Sequence, residues 1–242
     1  MGRLTAIVLG AAAGGGFPQW NCACPVCRLA WAGDPRVKRS TQASLAVSAD
    51  GEHWVLLNAS PDLRAQLLAT PALQPDRPPR SSPITSVVLT GAEIDQIAGL
   101  LTLRERQGFA LFATAETLGT LAANPMLNVL GDEVRRCAVV RDEPFALAGG
   151  ISAELFSVPG KVALYLEGKD PALTAETGVN VGIELSCGSR RLAYVPGAAA
   201  MTAALQARLA RADVVLFDGT LFTDDEMIAT GTGDKTGRRM GH

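Results

Sequence analysis

Residues 84–101 read ITSVVLTGAEIDQIAGLL. The opening run is apolar and β-branched, and predicts a buried strand that ends at Thr90. The continuation, 93–108, predicts an amphipathic helix. Between them stand two acids, Glu93 and Asp95. Acidic side chains just past the C-terminal end of a strand occupy the place where open α/β sheets put ligand chemistry. Acids in the first turn of a helix also complement its dipole. On the residues alone both explanations stand.

Working outward, similar β-type runs recur: LTAIVLG, TQASLAVS, HWVLLNA, ALFAT, RCAVV, ISAELFSV, VALYLE, VNVGIELS, RLAYVP and ADVVLFDG. Helix-like segments lie between some of them, including SPDLRAQLLAT, TAETLGTLAAN and AAAMTAALQARLARA. Runs of strands each closed by a helix predict two sheets between helical layers. They argue against the regular βαβα alternation of a Rossmann or barrel enzyme. The Pro-rich LQPDRPPRSSP (73–83) predicts a surface loop, since β-type sequence resumes at once. The 242 residues are expected to form a single domain, 1–242.

Hydrophobic residues make up 48% of the chain and charged residues 19%, enough for a sizeable core. A net charge of −2 gives no reason to expect nucleic acid or an anionic membrane as partner. The apolar runs are too short to span a bilayer. The N-terminal MGRLTAIVLGAAAGGGF lacks a convincing cleavage site and predicts a first strand closed by a glycine turn. The protein is therefore expected in the cytoplasm.

Reducing conditions there disfavour disulfides, which bears on Cys22, Cys24 and Cys27 in GFPQWNCACPVC. Three thiols at this spacing can face one point and suit zinc. Free thiols or part of an iron–sulfur site are the alternatives. Cys137 and Cys187 fall in strand-like segments and are expected to be small buried hydrophobes. His53 is expected on an exposed strand. Asp218 ends the apolar run ADVVLFD and is a second strand-tip acid, able to hold a metal or simply to start a turn. Asn180, at the start of VNVGIELS, is a further polar candidate.

VLGAAAGGGFPQWNCACPVC, LLNASPDLRAQL, LTGAEIDQIAGLLTLRE, FSVPGKV, YVPG, LFDGTLFTDDEM and KTGRRMGH together resemble the B-protein family of pyrroloquinoline quinone (PQQ) biosynthesis, along the whole chain in order. That family belongs to the metallo-β-lactamase fold superfamily. The resemblance implies an α/β (α+β) fold, the αβ/βα four-layer sandwich, with the family's C-terminal segment beyond His242 lacking. It implies structural Zn2+ on Cys22, Cys24 and Cys27, completed by His242. It implies metal-dependent hydroxylation, with iron (Fe2+), of the tyrosine-derived ring of a cross-linked Glu–Tyr precursor. The alternative is a carrier that transports PQQ or its precursor without catalysis. The small-molecule precursor is the expected partner. Asp95 and Asp218 would be active-site ligands, with Gln96 where the superfamily motif T-H-x-H-x-D-H-x-x-G has a histidine ligand. A glutamine carbonyl is a much weaker ligand than imidazole for a first-row metal. No histidine lies near these residues in sequence, so an oxygen-donor site better suited to magnesium, calcium or manganese is expected.

Overall fold

The computed structural model describes residues 3–167 and 177–242. Six strands form the first sheet: β1 (Thr5–Gly10), β2 (Ser44–Ser48), β3 (Trp54–Leu57), β4 (Ile84–Val88), β5 (Phe109–Ala113) and β6 (Val134–Ala138). They lie side by side in chain order. The first two pairings are antiparallel and the rest parallel. Five strands form the second sheet: β7 (Phe145–Ala146), β8 (Ser152–Ser157), β9 (Val181–Cys187), β10 (Arg190–Val195) and β11 (Val214–Phe217). There only β10 and β11 run parallel.

Parallel neighbours require crossovers, and the helices supply them. After α1 (Pro25–Trp31), α2 (Leu63–Ala69), α3 (Ile94–Ile97) and α4 (Ala115–Ala122) follow strands of the first sheet. The helix α5 (Ala203–Leu209) joins β10 to β11, and short α6 (Glu226–Ala229) and α7 (Gly237–Met240) follow. Alternation along each strand divides the core into layers. Leu56, Val87 and Leu111 face the outer helices with Leu63, Leu100 and Leu121. Val55, Leu57 and Val88 face the second sheet's Leu155, Ile183 and Leu185. Phe156, Ala193 and Val195 meet Leu205 and Leu209 of α5. This is the expected four-layer sandwich. Both faces of the central strands are covered, which is why they read as unbroken apolar runs.

Two expectations fail for local reasons. The helix expected over 93–108 is α-helical only at Ile94–Ile97, and Ala98–Leu103 is a 3-10 helix. Backbone at Ala59 intervenes: its N–H donates to Gln96 O (2.7 Å), and its carbonyl accepts from Gly99 N–H (2.8 Å). VALYLE forms no strand but a short 3-10 turn, Leu164–Leu166. Its polar partners are in the turn after β4. Leu164 N–H donates to both Glu93 carboxylate oxygens, and the Tyr165 hydroxyl donates to Ala92 O (2.7 Å).

Candidate functional site

The C-terminal ends of β3, β4, β10 and β11 meet at one edge of the sandwich. A bridge between Gly91 and Asn180 joins the two sheets there. Asn58, just past β3, is buried and has a left-handed backbone (φ 63°). Its Oδ1 accepts from Thr90 N–H (2.9 Å) and from the Thr90 hydroxyl (3.1 Å). The strand-tip turn carrying the acids is thereby fixed to its neighbour.

Gln96 extends this network. Its Oε1 accepts from Glu93 N–H (3.1 Å) and its Nε2 donates to Thr90 Oγ1 (3.2 Å). The amide oxygen thus belongs to a capping box shared with Glu93, and the nitrogen ties that cap to Thr90. Glu93 is half-buried, and burial pushes its carboxyl up against the opposing pull of Leu164 N–H and Lys161. Asp95 packs on the glycine turn before the cysteines, where a Cβ at Gly14 would lie 2.7 Å from Asp95 Oδ2. Burial raises its carboxyl as well; His242 counters that rise and Asp62 adds to it. Asn180 is structural: its Nδ2 donates to Gly197 O (3.1 Å).

Asp218 is the most fully engaged acid. Oδ1 accepts from Thr220 N–H (3.0 Å) and the Thr220 hydroxyl (2.7 Å). Oδ2 accepts from Ala198 N–H (3.3 Å) and lies 2.7 Å from His242 Nδ1. Burial alone would raise its pKa, but the His242 and Thr220 contacts outweigh burial and hold it below the usual carboxylate range. A proton on Nδ1, the tautomer this contact favours, leaves Nε2 of His242 with a free lone pair. A cleft of about 260 Å³ opens beside the pair, lined among others by Met201, Phe217, Phe222 and Arg238.

His242 therefore stands with Asp218, and the expected fourth ligand for the cysteines is not met. The same contact corrects the expectation of a site without histidine. Sequence separation hid both facts, because His242 is brought to Asp218 by the turn of α7.

The cysteines form a separate cluster. Their three Sγ atoms lie within 4.8 Å of one another, and it is the one such His/Cys/Asp/Glu trio among the described residues. Cys24 caps α1, its Sγ accepting from Cys27 N–H at 3.4 Å. That contact is the main reason its thiol titrates below the ordinary value, while burial pushes Cys27 up to about 11. Thiolates around a tetrahedral zinc stand about 3.8 Å apart, so the cluster fits zinc in chemistry and scale. Cys137 and Cys187 are half-buried rather than buried.

Sequence reasoning missed Asn58, Asp62, Thr220 and Lys161. Asn58 carried a usable signal, a lone polar residue ending the apolar run WVLL, as Thr90 and Asp218 end theirs.

The beta-lactamase superfamily domain matches residues 53–242. Coenzyme PQQ synthesis protein B of Methylobacterium sp. (strain 4-46) is 56% identical over 240 residues, covering 99% of this chain and 80% of the relative. That of Gluconacetobacter diazotrophicus is 55% identical over 244 residues, covering 98% and 80%. The crystal structure of Zn(2+)-bound PqqB from Methylobacterium extorquens superposes with a TM-score of 0.96 at 51% identity, covering 99% of this chain and 80% of that one. A diphosphatase of the PhnP family shares the fold alone, with a TM-score of 0.65 at 22% identity over 89% of this chain and 73% of that one. On sequence, coverage and fold together, the chain belongs to the coenzyme PQQ synthesis protein B family, within the beta-lactamase superfamily.

Proposed function

We propose that this protein acts in PQQ synthesis by iron-dependent hydroxylation of the tyrosine-derived ring of the cross-linked Glu–Tyr precursor, at the Asp95–Asp218–His242 site. The observation that carries this reading is the Asp218–His242 contact. A carboxylate behind one ring nitrogen is the arrangement that orients a histidine for ligation through the other. Asp95 adds a half-buried carboxylate with no hydrogen-bond partner among the described residues, a group that a cation would stabilise. The donor set is of the right kind, but among the described residues these three do not close into a trio as the cysteines do. When bound, iron would supply oxygen activation. The chain's own part is to orient the imidazole through Asp218 and hold the ring of the precursor in the adjoining cleft. Zinc at Cys22, Cys24 and Cys27 is supported by their spacing and by the zinc-bound Methylobacterium extorquens relative. Among the described residues no helix is long and apolar enough to cross a membrane, and the cytoplasm fits reduced thiols.

The second reading is a carrier of PQQ or its precursor, favoured by the commitment of Gln96 to capping. Inserting one oxygen atom of O2 into a ring C–H sends the other to water and takes two electrons and two protons, so an external two-electron reductant is needed. Loading with ferrous iron without air, then adding precursor, oxygen and ascorbate, separates the two readings. Hydroxylation expects oxygen-dependent consumption of the precursor in the intact protein, lost in His242→Ala. Stoichiometric binding with no consumption identifies the carrier.

A further inference from the structure

Packing alone does not fix the imidazole of His242. Its side chain is 31% exposed, and the residue follows α7 rather than lying within a strand or helix. Gly197 leaves the Cε1 edge of the ring loose, since even an added Cβ there would stand 4.0 Å away. Hydrogen bonds must therefore set where the ring points, and among the described residues they all meet at Nδ1.

Two groups meet that nitrogen. Asp218 Oδ2 lies 2.7 Å from it and Thr220 Oγ1 lies 3.1 Å from it. The same Thr220 hydroxyl is 2.7 Å from Asp218 Oδ1. Counting protons gives the direction of each bond. An aspartate is ionised at neutral pH and can only accept, so the short contact at Oδ2 puts a proton on Nδ1. Nδ1 then has no lone pair to offer, and the single hydroxyl proton of Thr220 goes to Asp218 Oδ1. A lone pair of Thr220 Oγ1 is left facing the Nδ1–H. Three bonds thus close into a ring: hydroxyl to carboxylate, imidazole to carboxylate, and imidazole to hydroxyl. The Thr220 N–H, also on Oδ1 (3.0 Å), holds the carboxylate from the backbone.

The two acceptors differ in what they can fix. Asp218 is charged and nearer, and its oxygen sets the tautomer. A single acceptor still lets the ring turn about the hydrogen bond, whereas two acceptors on one N–H define the plane of the ring. We propose that Thr220 is a positioning residue: Asp218 chooses the tautomer of His242, and the Thr220 hydroxyl fixes the plane of its imidazole, and with it the direction of the Nε2 lone pair. A hydroxyl that only satisfied Asp218 would leave the order of the ring untouched. The consequence for metal binding rests on the proposed function; the orientation of the ring does not.

The test compares the intact protein with Thr220→Val, which keeps the shape and the backbone N–H, and with Thr220→Ser, which restores the hydroxyl. The chain has only two histidines, His53 and His242, so the imidazole signals are few and His53→Gln assigns them. In metal-free protein at alkaline pH, ring nitrogen shifts should place the proton of His242 on Nδ1 in the intact protein and in both Thr220 variants. Carbon relaxation at His242 Cε1 should give an order parameter near the rigid value of about 0.85 in the intact protein and below about 0.6 in Thr220→Val. Thr220→Ser should regain the intact value. Ferrous iron, added without air to protein whose cysteines already hold zinc, should bind about tenfold more weakly to Thr220→Val and normally to Thr220→Ser. Iron that binds none of these proteins counts against the proposed function alone, and the order of the metal-free ring still decides the role of Thr220. If Thr220→Val does not fold, Thr220→Ala keeps the same backbone N–H and carries the same comparison. A ring as ordered without the hydroxyl as with it, or a proton on Nε2 in the intact protein, overturns the proposal.

Discussion

Replacing Asn58 by alanine should destabilise the protein severely, although the side chain is small and far from the centre of the core. Two costs add. Thr90 N–H loses its acceptor inside a region where both residues are almost wholly buried. An unsatisfied buried N–H costs about 1–3 kcal/mol. Alanine must also hold the left-handed backbone that asparagine adopts at φ 63°, which costs about 1–2 kcal/mol. The sum is about 2–5 kcal/mol, or roughly 5–15 °C in Tm for a chain of this length. Asn58→Gly separates the costs. Glycine accepts the positive φ but leaves Thr90 equally unsatisfied, so it should lose only about 1–3 kcal/mol.

The assay is urea unfolding of metal-free protein with matched slopes, so that midpoints report stability and bound ions do not mask it. Equal losses in the alanine and glycine variants would show that backbone strain has no part. Losses below about 0.5 kcal/mol in both, the range of ordinary surface changes, would refute the idea that Asn58 fixes the turn after β4.

Other perturbations test separate parts of the structure. Cys24→Ser should abolish zinc binding at the cysteine cluster and lower the Tm of zinc-loaded protein, with a much smaller effect after chelation, as metal analysis and paired melts would show. Gly99→Ala would place a Cβ 2.2 Å from Ser60 O, a backbone atom that cannot turn aside. A loss of about 1–3 kcal/mol or outright insolubility is expected, and wild-type melting would contradict that contact. In Asp95 the carboxyl is raised on folding, chiefly by burial. Folding therefore pays a penalty that is absent at low pH and grows as pH climbs through the carboxylate range. Asp95→Asn should accordingly melt higher than the parent at pH 7 in the metal-free state, with the gain vanishing in acid; a gain that survives in acid would assign it to something other than charge.

Most of the fold was legible because the central strands of the first sheet, β2 to β5, are covered on both faces. Runs such as WVLL and ITSVV need no pattern of alternation to be recognised as buried. The misread elements are those whose backbone partners come from elsewhere. The helix over 93–108 has suitable periodicity, but Ala59 takes its place in hydrogen bonding at Gln96 and Gly99. VALYLE has strand-forming residues, but its backbone N–H at Leu164 is spent on Glu93. Neither competition leaves a trace in local composition.

The candidate site divides along the same line. Asp95 and Asp218 could be proposed because an acid ending an apolar run is a local signal, and topology brings such ends together. The position of His242 could not be read, since nothing near it in sequence distinguishes Asp218 from the cysteines as its partner. Gln96 shows the converse. Compared with a metal motif it looks like a lost ligand. In the folded chain its oxygen accepts the N–H of Glu93 and its nitrogen reaches Thr90, which in turn is held by Asn58. The position that lacks an imidazole thus holds the strand-tip turn together, and the imidazole beside Asp218 comes from His242 instead. A histidine restored at Gln96 would have to replace a cap before it could serve as a ligand, so stability and metal affinity at this position are opposed.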